Sequence, residues 1–284
     1  MKYIILSNLG EYNNLGHELF FTRKILFVLL HHNLIKTDVT LVTSYNDRKF
    51  LYNKYFNNVI TFKEFDSIST QLEDNDILDL TCYLATNYID TIKEIKNMGL
   101  DKEILYENEI FNNVNTVEFN KLICNLNYCD TYKYNNIIDK KFFVIHIRPT
   151  FKKINYLLEF IRFCDLNKNL KCIIFTTLEN IEYEYQTSDL QMYASLMAQD
   201  NCIGLLSEWS GGGQLAQFCA KKIIFYYDYY PHFYHTDNVL NYEKENNSGF
   251  FKCWDHYNPI GSKKIFINNE ELEDMNKLLS NLVN

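Results

Sequence analysis

Three short stretches of this 284-residue chain carry the residue types that chemistry needs. In FFVIHIRPTFKK an apolar run delivers His146 and Arg148, and Pro149 stops it. A guanidinium stays charged throughout the accessible pH range and can grip a phosphate with two parallel hydrogen bonds. Lys152 and Lys153 follow at the head of a helical pattern. In SEWSGGGQLAQF, Ser207, Glu208 and Ser210 lead into Gly211, Gly212 and Gly213, three adjacent glycines in a chain that holds nine. Glycines leave backbone N–H groups uncovered, and a following helix N-terminus adds partial positive charge, so such a turn can hold an anion. Glu208 could accept hydrogen bonds from ribose or sugar hydroxyls. The same glycines would equally permit a tight turn and close helix–strand packing. In SNLGEYNNLGHELFF the titratable groups are Glu11, His17 and Glu18. Each could take a proton from a hydroxyl, while Glu18 also suits a helix N-terminus.

The spacing excludes several better-known sites. SEWSGGG is neither the G-x-x-x-x-G-K-[ST] of a P-loop nor the G-x-G-x-x-G of a dinucleotide turn. Ser210 does not stand in G-x-S-x-G, because Glu208 takes the place of the first glycine. DYYPHFYHTD offers Asp228, His232, His235 and Asp237 to a metal, but Pro231 and the aromatic crowding point to a loop over a binding cleft, and no metal is expected. FFKCWDHYNPIGSKK, with Trp254, Asp255, His256 and Tyr257, suits carbohydrate stacking or packing between domains.

The elements that must hold these groups follow from apolar patterning. KYIILS, VTLVTS, NVITF, DILDLT and EILY read as strands in the first half, and KFFVIHI, KCIIFTT, CIGLLS, KIIFYY and KIFI in the second. Amphipathic helical stretches at residues 16–34, 83–98, 155–166 and 190–199 lie between them, and residues 268–284 read as a closing helix with an acidic first turn. Strands alternating with helices imply parallel sheets, and strands that are apolar throughout imply sheets covered on both faces. The polar stretch 125–141 interrupts the pattern and reads as a linker. The expectation is an α/β chain of two Rossmann-like domains, residues 1–135 and 142–284, whose parallel sheets face a cleft. Each of the three chemical stretches then falls at the carboxyl end of a strand, the ligand-binding edge of an open parallel sheet.

Composition narrows the partners. A net charge of −8 argues against a nucleic-acid binder. Eight cysteines occur without a CxxC pair, several inside apolar runs, which points to reduced core thiols and a cytoplasmic setting. The longest apolar segment, ILFVLLHHNLI, falls short of the roughly 20 residues of a membrane span, which leaves room only for a peripheral membrane contact.

Taken together, two α/β domains and a glycine-rich anion turn in the second resemble the GT-B class of glycosyltransferases. LSNLGEYNNLGHELFF is similar to the Gly-Leu-Gly-Asn-Gln-Leu-Phe loop of the fucosyltransferase-like branch, and VIHIRPT to its His-x-Arg-Arg-x-Asp strand end. The chain departs from that branch at His17 and Glu18, which replace Asn-Gln, and at Pro149, which replaces the second arginine; no aspartate follows. The resemblance implies transfer of a sugar from a nucleotide diphosphate sugar to a glycan or other hydroxyl acceptor, without a metal or other cofactor. Arg148 would contact the donor diphosphate, assisted by His146, Ser207, Glu208, Ser210 and Gly211–Gly213. Glu11, His17 and Glu18 would be the candidates for the base. The missing arginine and aspartate also fit an alternative, a degenerate protein that binds a nucleotide sugar or glycan without turnover. On either reading, Gly212→Val is expected to block a close backbone approach to the ligand while leaving the fold intact.

Overall fold

In a computed structural model of the protein, the described residues are 2–10, 15–31, 33–81, 132–149, 153–179, 181, 183–208, 210–226, 260–267 and 269–284. The chain divides into two compact units, Met1–Ile123 and Cys124–Asn284. Each is built around one parallel sheet.

In the first unit the apolar runs form β1 (Tyr3–Ile5), β2 (Thr40–Thr43), β3 (Asn58–Thr61) and β4 (Ile77–Asp79), in the spatial order β3-β2-β1-β4. Between β1 and β2 the expected single helix is three pieces: α1 (Leu15–His17), a π-helical turn (Glu18–Thr22) and α2 (Arg23–His31). A short 3₁₀ helix (Asn46–Leu51) follows β2, and α3 (Phe62–Ser69) follows β3. Thr61 caps α3 through a reciprocal pair: its hydroxyl accepts from Glu64 N–H, and the Glu64 carboxylate accepts from Thr61 N–H. That device is spelled in the sequence as T-x-x-E.

The second unit opens with α4 (Asn135–Ile138), which lies inside the stretch expected as a linker; Tyr134 and Ile137 are buried there. Then come β5 (Phe142–Ile147), α5 (Ile154–Lys168), β6 (Lys171–Thr176), β7 (Gln186–Thr187), α6 (Leu190–Met197), β8 (Cys202–Glu208), α7 (Gly211–Leu215), β9 (Lys222–Tyr226) and β10 (Lys263–Ile267). The closing helix is broken in two, α8 (Asn269–Glu273) and α9 (Met275–Val283), because Asp274 leaves the helix to cap a new one by accepting from Lys277 N–H. EILY and the helical stretch at 83–98 lie outside the described residues.

The six strands of this unit run parallel in the order β7-β6-β5-β8-β9-β10. Renumbered within the unit, that is 3-2-1-4-5-6, the Rossmann order; the first sheet shows its 3-2-1-4 half. Every residue of β5 is buried, as a strand covered on both faces requires. α5 packs on the sheet through Leu157, Phe160, Ile161 and Cys164, one stripe of the helix. It ends at Asn169, whose φ of 48° supplies the left-handed cap. In such a sheet the direction of winding reverses between strands 1 and 4, and the loops at their carboxyl ends splay apart to leave a crevice. Here the reversal lies between β5 and β8 in one unit and between β1 and β4 in the other.

Candidate functional site

The β5–β8 crevice is flanked by two of the three stretches singled out above, although they lie about sixty residues apart in sequence. β5 pairs with β8 so that His146 stands opposite Ser207. Arg148 is the second residue beyond His146, and Glu208 the next beyond Ser207. Their side chains meet as an ion pair, Arg148 Nε to Glu208 Oε2 at 3.7 Å. The Arg148 side chain is 43% exposed and that of Glu208 13%. Lys153, the other described cation of that stretch, is ion-paired with Glu273 instead.

Beneath this pair lies a buried polar knot. The Ser207 and Ser210 hydroxyls both donate to the Glu208 carbonyl, at 2.8 and 3.2 Å. Both also lie against His146 Nδ1, at 3.1 and 3.2 Å. With the serine protons committed to the carbonyl, the contacts are satisfied when Nδ1 carries the ring proton and donates. Burial, and then the charge of Arg148, holds the His146 pKa down to about 3, so the ring is neutral at pH 7. His146 also packs against Phe175 and Tyr193. Tyr226 lies under the same edge, its hydroxyl donating to His146 O at 3.3 Å.

The glycines fit tightly against this knot. A Cβ on Gly212 would stand 2.6 Å from His146 Cε1 and 2.8 Å from Nδ1; one on Gly213 would stand 2.7 Å from Glu208 O and 2.9 Å from Ser207 Oγ. None of the three glycines has a positive φ, so close approach is what demands glycine at 212 and 213. Ser210 caps α7 by accepting from Gly213 N–H at 3.3 Å. This geometry alters the expectation for Gly212→Val: the added carbons would strike the buried imidazole, so the substitution acts on the fold before it acts on any ligand.

In the first unit, Glu18 opens the π-helical turn and is fully buried. Its carboxylate accepts four hydrogen bonds, each of 2.7 Å: from Ser7 Oγ and Arg48 Nη1 on Oε2, and from Thr43 Oγ1 and Tyr52 OH on Oε1. Four is the number a carboxylate's lone pairs hold. The group thereby ties the carboxyl ends of β1 and β2 to the 3₁₀ helix. Burial, followed by the Glu18 charge, pushes the Tyr52 hydroxyl pKa well up. Ser7 completes the tie by accepting from Ser44 N–H at 2.9 Å. Sequence reasoning found Glu18 but none of its partners. Glu11 and the His17 side chain lie outside the described residues, as do DYYPHFYHTD and FFKCWDHYN.

Among the described residues no three His, Cys, Asp or Glu side chains stand close enough to hold a metal ion, and no helix is long and apolar enough to cross a membrane. Cys164, Cys172, Cys202 and Cys219 are buried. No family model matches the chain, and no curated protein matches it.

Proposed function

We propose that the protein transfers a sugar from a nucleotide diphosphate sugar to a hydroxyl acceptor, binding the donor at the β5–β8 crevice. One observation carries the reading: Arg148 and the Ser207–Gly213 turn come from distant stretches and flank the switch point of a Rossmann-order sheet, where that architecture takes its ligands. The likeness of LSNLGEYNNLGHELFF and VIHIRPT to fucosyltransferase-like motifs supplies the reaction class.

In this mechanism the acceptor oxygen attacks the anomeric carbon as the bond from that carbon to the diphosphate oxygen breaks. The bonding pair leaves with the diphosphate, and the hydroxyl proton passes to a base. The guanidinium of Arg148 meets the charge that develops on the leaving diphosphate. Glu208 orients that guanidinium and offers a carboxylate to ribose or sugar hydroxyls. His146, neutral and buried, holds Ser207 and Ser210 so that the turn keeps its shape. Glu11 and His17 remain the candidates for the base; Glu18, with all four acceptor sites filled, is a positioning residue. The resemblance to the fucosyltransferase-like branch implies that the reaction needs no metal. Thermal shift with GDP, UDP, CDP, ADP and dTDP and their sugar conjugates, with and without EDTA, tests the proposal. A selective, EDTA-insensitive rise in Tm supports it, and no rise with any of them removes it.

A second reading has its own observation. Pro149 stands where the related motif has an arginine, so one guanidinium would face the diphosphate alone. A chain that binds the nucleotide without turning it over fits that loss. Nucleotide binding with neither transfer nor donor hydrolysis would select it.

A further inference from the structure

We infer that the amino edge of the second unit's sheet is a contact surface for an anionic membrane. This edge lies at the far end of the strands from the proposed donor site, so the inference does not rest on the transferase reading. Lysines crowd the places where the chain enters a strand. Lys140 and Lys141 lead into β5, Lys171 opens β6, Lys221 and Lys222 begin β9, and Lys263 opens β10. α5 runs back along β6, so Lys168 in its last turn reaches the same edge. Two of these lysines are ion-paired, Lys171 with Asp165 and Lys221 with Asp200. The other described side-chain carboxylates there are Asp139 and Glu184. Seven lysines thus meet four carboxylates in a chain whose net charge is −8. The parallel register sets Lys222 directly beside Lys263, an arrangement that costs stability. Burial, and then the charge of Lys263, holds the Lys222 pKa down. The remaining residues carry the whole negative balance of the chain, so an anionic surface attracts this edge and repels the rest.

Apolar side chains stand among these charges. Five large apolar side chains are exposed among the described residues, and three of them lie at this edge: Leu166 at 84%, Val283 at 60% and Ile260 at 40%. Leu166 is in the last turn of α5, two residues before Lys168. Val283 ends α9 beside Leu282, whose carbonyl accepts from Lys222 Nζ at 2.8 Å. Ile260 stands three residues before Lys263, and the turn between them is tied down by Ser262 donating to Ala220 O at 2.7 Å. From β6 to β10 the sheet takes four strand spacings, roughly 19 Å. Charges spread over that width match a plane of anionic headgroups better than one small ligand. Lysine stems let the ammonium groups reach such a plane. The apolar tips then enter the boundary between headgroups and acyl chains, and the lysines supply the electrostatic attraction. A nucleic acid would meet the lysines equally well but would leave Leu166 and Val283 in water.

The test is co-sedimentation of the full-length protein with vesicles of phosphatidylcholine alone and of phosphatidylcholine mixed with phosphatidylserine. A Lys140→Gln, Lys141→Gln, Lys263→Gln variant and a Leu166→Ser, Val283→Ser variant are run beside the wild type. All five side chains are exposed, so the Tm of both variants should match the wild type. The wild type is expected to bind the phosphatidylserine vesicles only and to be released by added salt, a reading that needs no variant. The lysine variant should bind roughly a hundredfold more weakly, the worth of three lysines near an anionic surface. The apolar variant should bind about tenfold more weakly. No binding to either vesicle, equal binding to both, or unchanged binding by the lysine variant overturns the inference. A double-stranded oligonucleotide is tested in parallel. Binding to it that the lysine variant loses and the apolar variant keeps, with no binding to vesicles, assigns the edge to a nucleic acid and also overturns the inference.

Discussion

Replacing Glu18 with Gln separates an anchor from a base. The carboxylate receives four donors, and one of them is the charged, buried Arg48. A glutamine amide can keep its oxygen toward Arg48 and Ser7 and turn its NH₂ toward Thr43 and Tyr52, whose hydroxyls rotate to accept. The hydrogen bonds then largely survive, but the negative charge beside a guanidinium only 9% exposed does not. Breaking a buried ion pair from one side costs about 3–5 kcal/mol. The partial rescue puts Glu18→Gln at the low end, about 3 kcal/mol, and Glu18→Ala at the high end. Either is a large share of the ~5–15 kcal/mol that holds a protein folded. Urea unfolding followed by circular dichroism measures the loss, and hydrogen exchange at β1 and β2 assigns it to the first unit. Arg48→Met in the Glu18→Gln background should recover about 1–3 kcal/mol, since the stranded charge is gone. A Glu18→Gln protein within about 0.5 kcal/mol of wild type that nevertheless loses transferase turnover would refute the anchor and restore Glu18 as a base.

Three further outcomes follow from the second unit. Gly212→Ala should destabilise by about 1–3 kcal/mol through overpacking on His146, outweighing the ~1 kcal/mol that Ala gains over Gly in a helix; a Tm equal to or above wild type would contradict the packing account. Arg148→Ala should weaken nucleoside diphosphate binding by roughly tenfold to a hundredfold in calorimetry, the worth of a charged hydrogen bond, while the Tm stays put because the side chain is 43% exposed. His146 should make stability fall with acidification. Its folded pKa of about 3 lies below the ordinary 6.5, so the unfolded chain takes up a proton first. The contribution is complete above pH 6.5 and is lost as pH falls toward 3, roughly 2 kcal/mol of it between pH 7 and pH 5. Urea midpoints at those two pH values should converge in His146→Asn relative to wild type, and an unchanged pH slope would refute the assignment.

Strand positions were legible because each core strand is an uninterrupted apolar run. β7 was not, since Gln186 and Thr187 form a two-residue polar edge strand that exists only by pairing with β6. The break at Asp274 and the π-helical turn at Glu18 were missed for a related reason: each is set by a polar contact and not by periodicity. α3 was missed although Thr61 and Glu64 spell its start. The hub around Glu18 is the clearest case of what one sequence hides. Its partners Thr43, Arg48 and Tyr52 lie 25, 30 and 34 residues away, and nothing in their local patterns marks them as neighbours. His146 and Ser207 were legible as residues of interest, but their contact needs the β5–β8 register.

The two arginine–carboxylate pairs explain why the donor is assigned to the second unit. Arg48 and Glu18 meet at 2.7 Å with side chains 9% and 0% exposed, and no anion can displace that carboxylate without the 3–5 kcal/mol loss of a buried pair. Arg148 and Glu208 meet at 3.7 Å, and the arginine is 43% exposed. That pair is longer and its arginine reaches solvent, although its carboxylate is only 13% exposed. A diphosphate carries more charge than a carboxylate and offers bidentate geometry to the guanidinium. On the proposed reading it would compete with Glu208 for Arg148, and the freed Glu208 would turn toward a sugar or ribose hydroxyl. On that reading the glycine turn would serve the exchange indirectly. By letting α7 close on His146, Gly212 and Gly213 keep the Glu208 backbone pinned by two serine hydroxyls, so the side chain can move while its anchor does not.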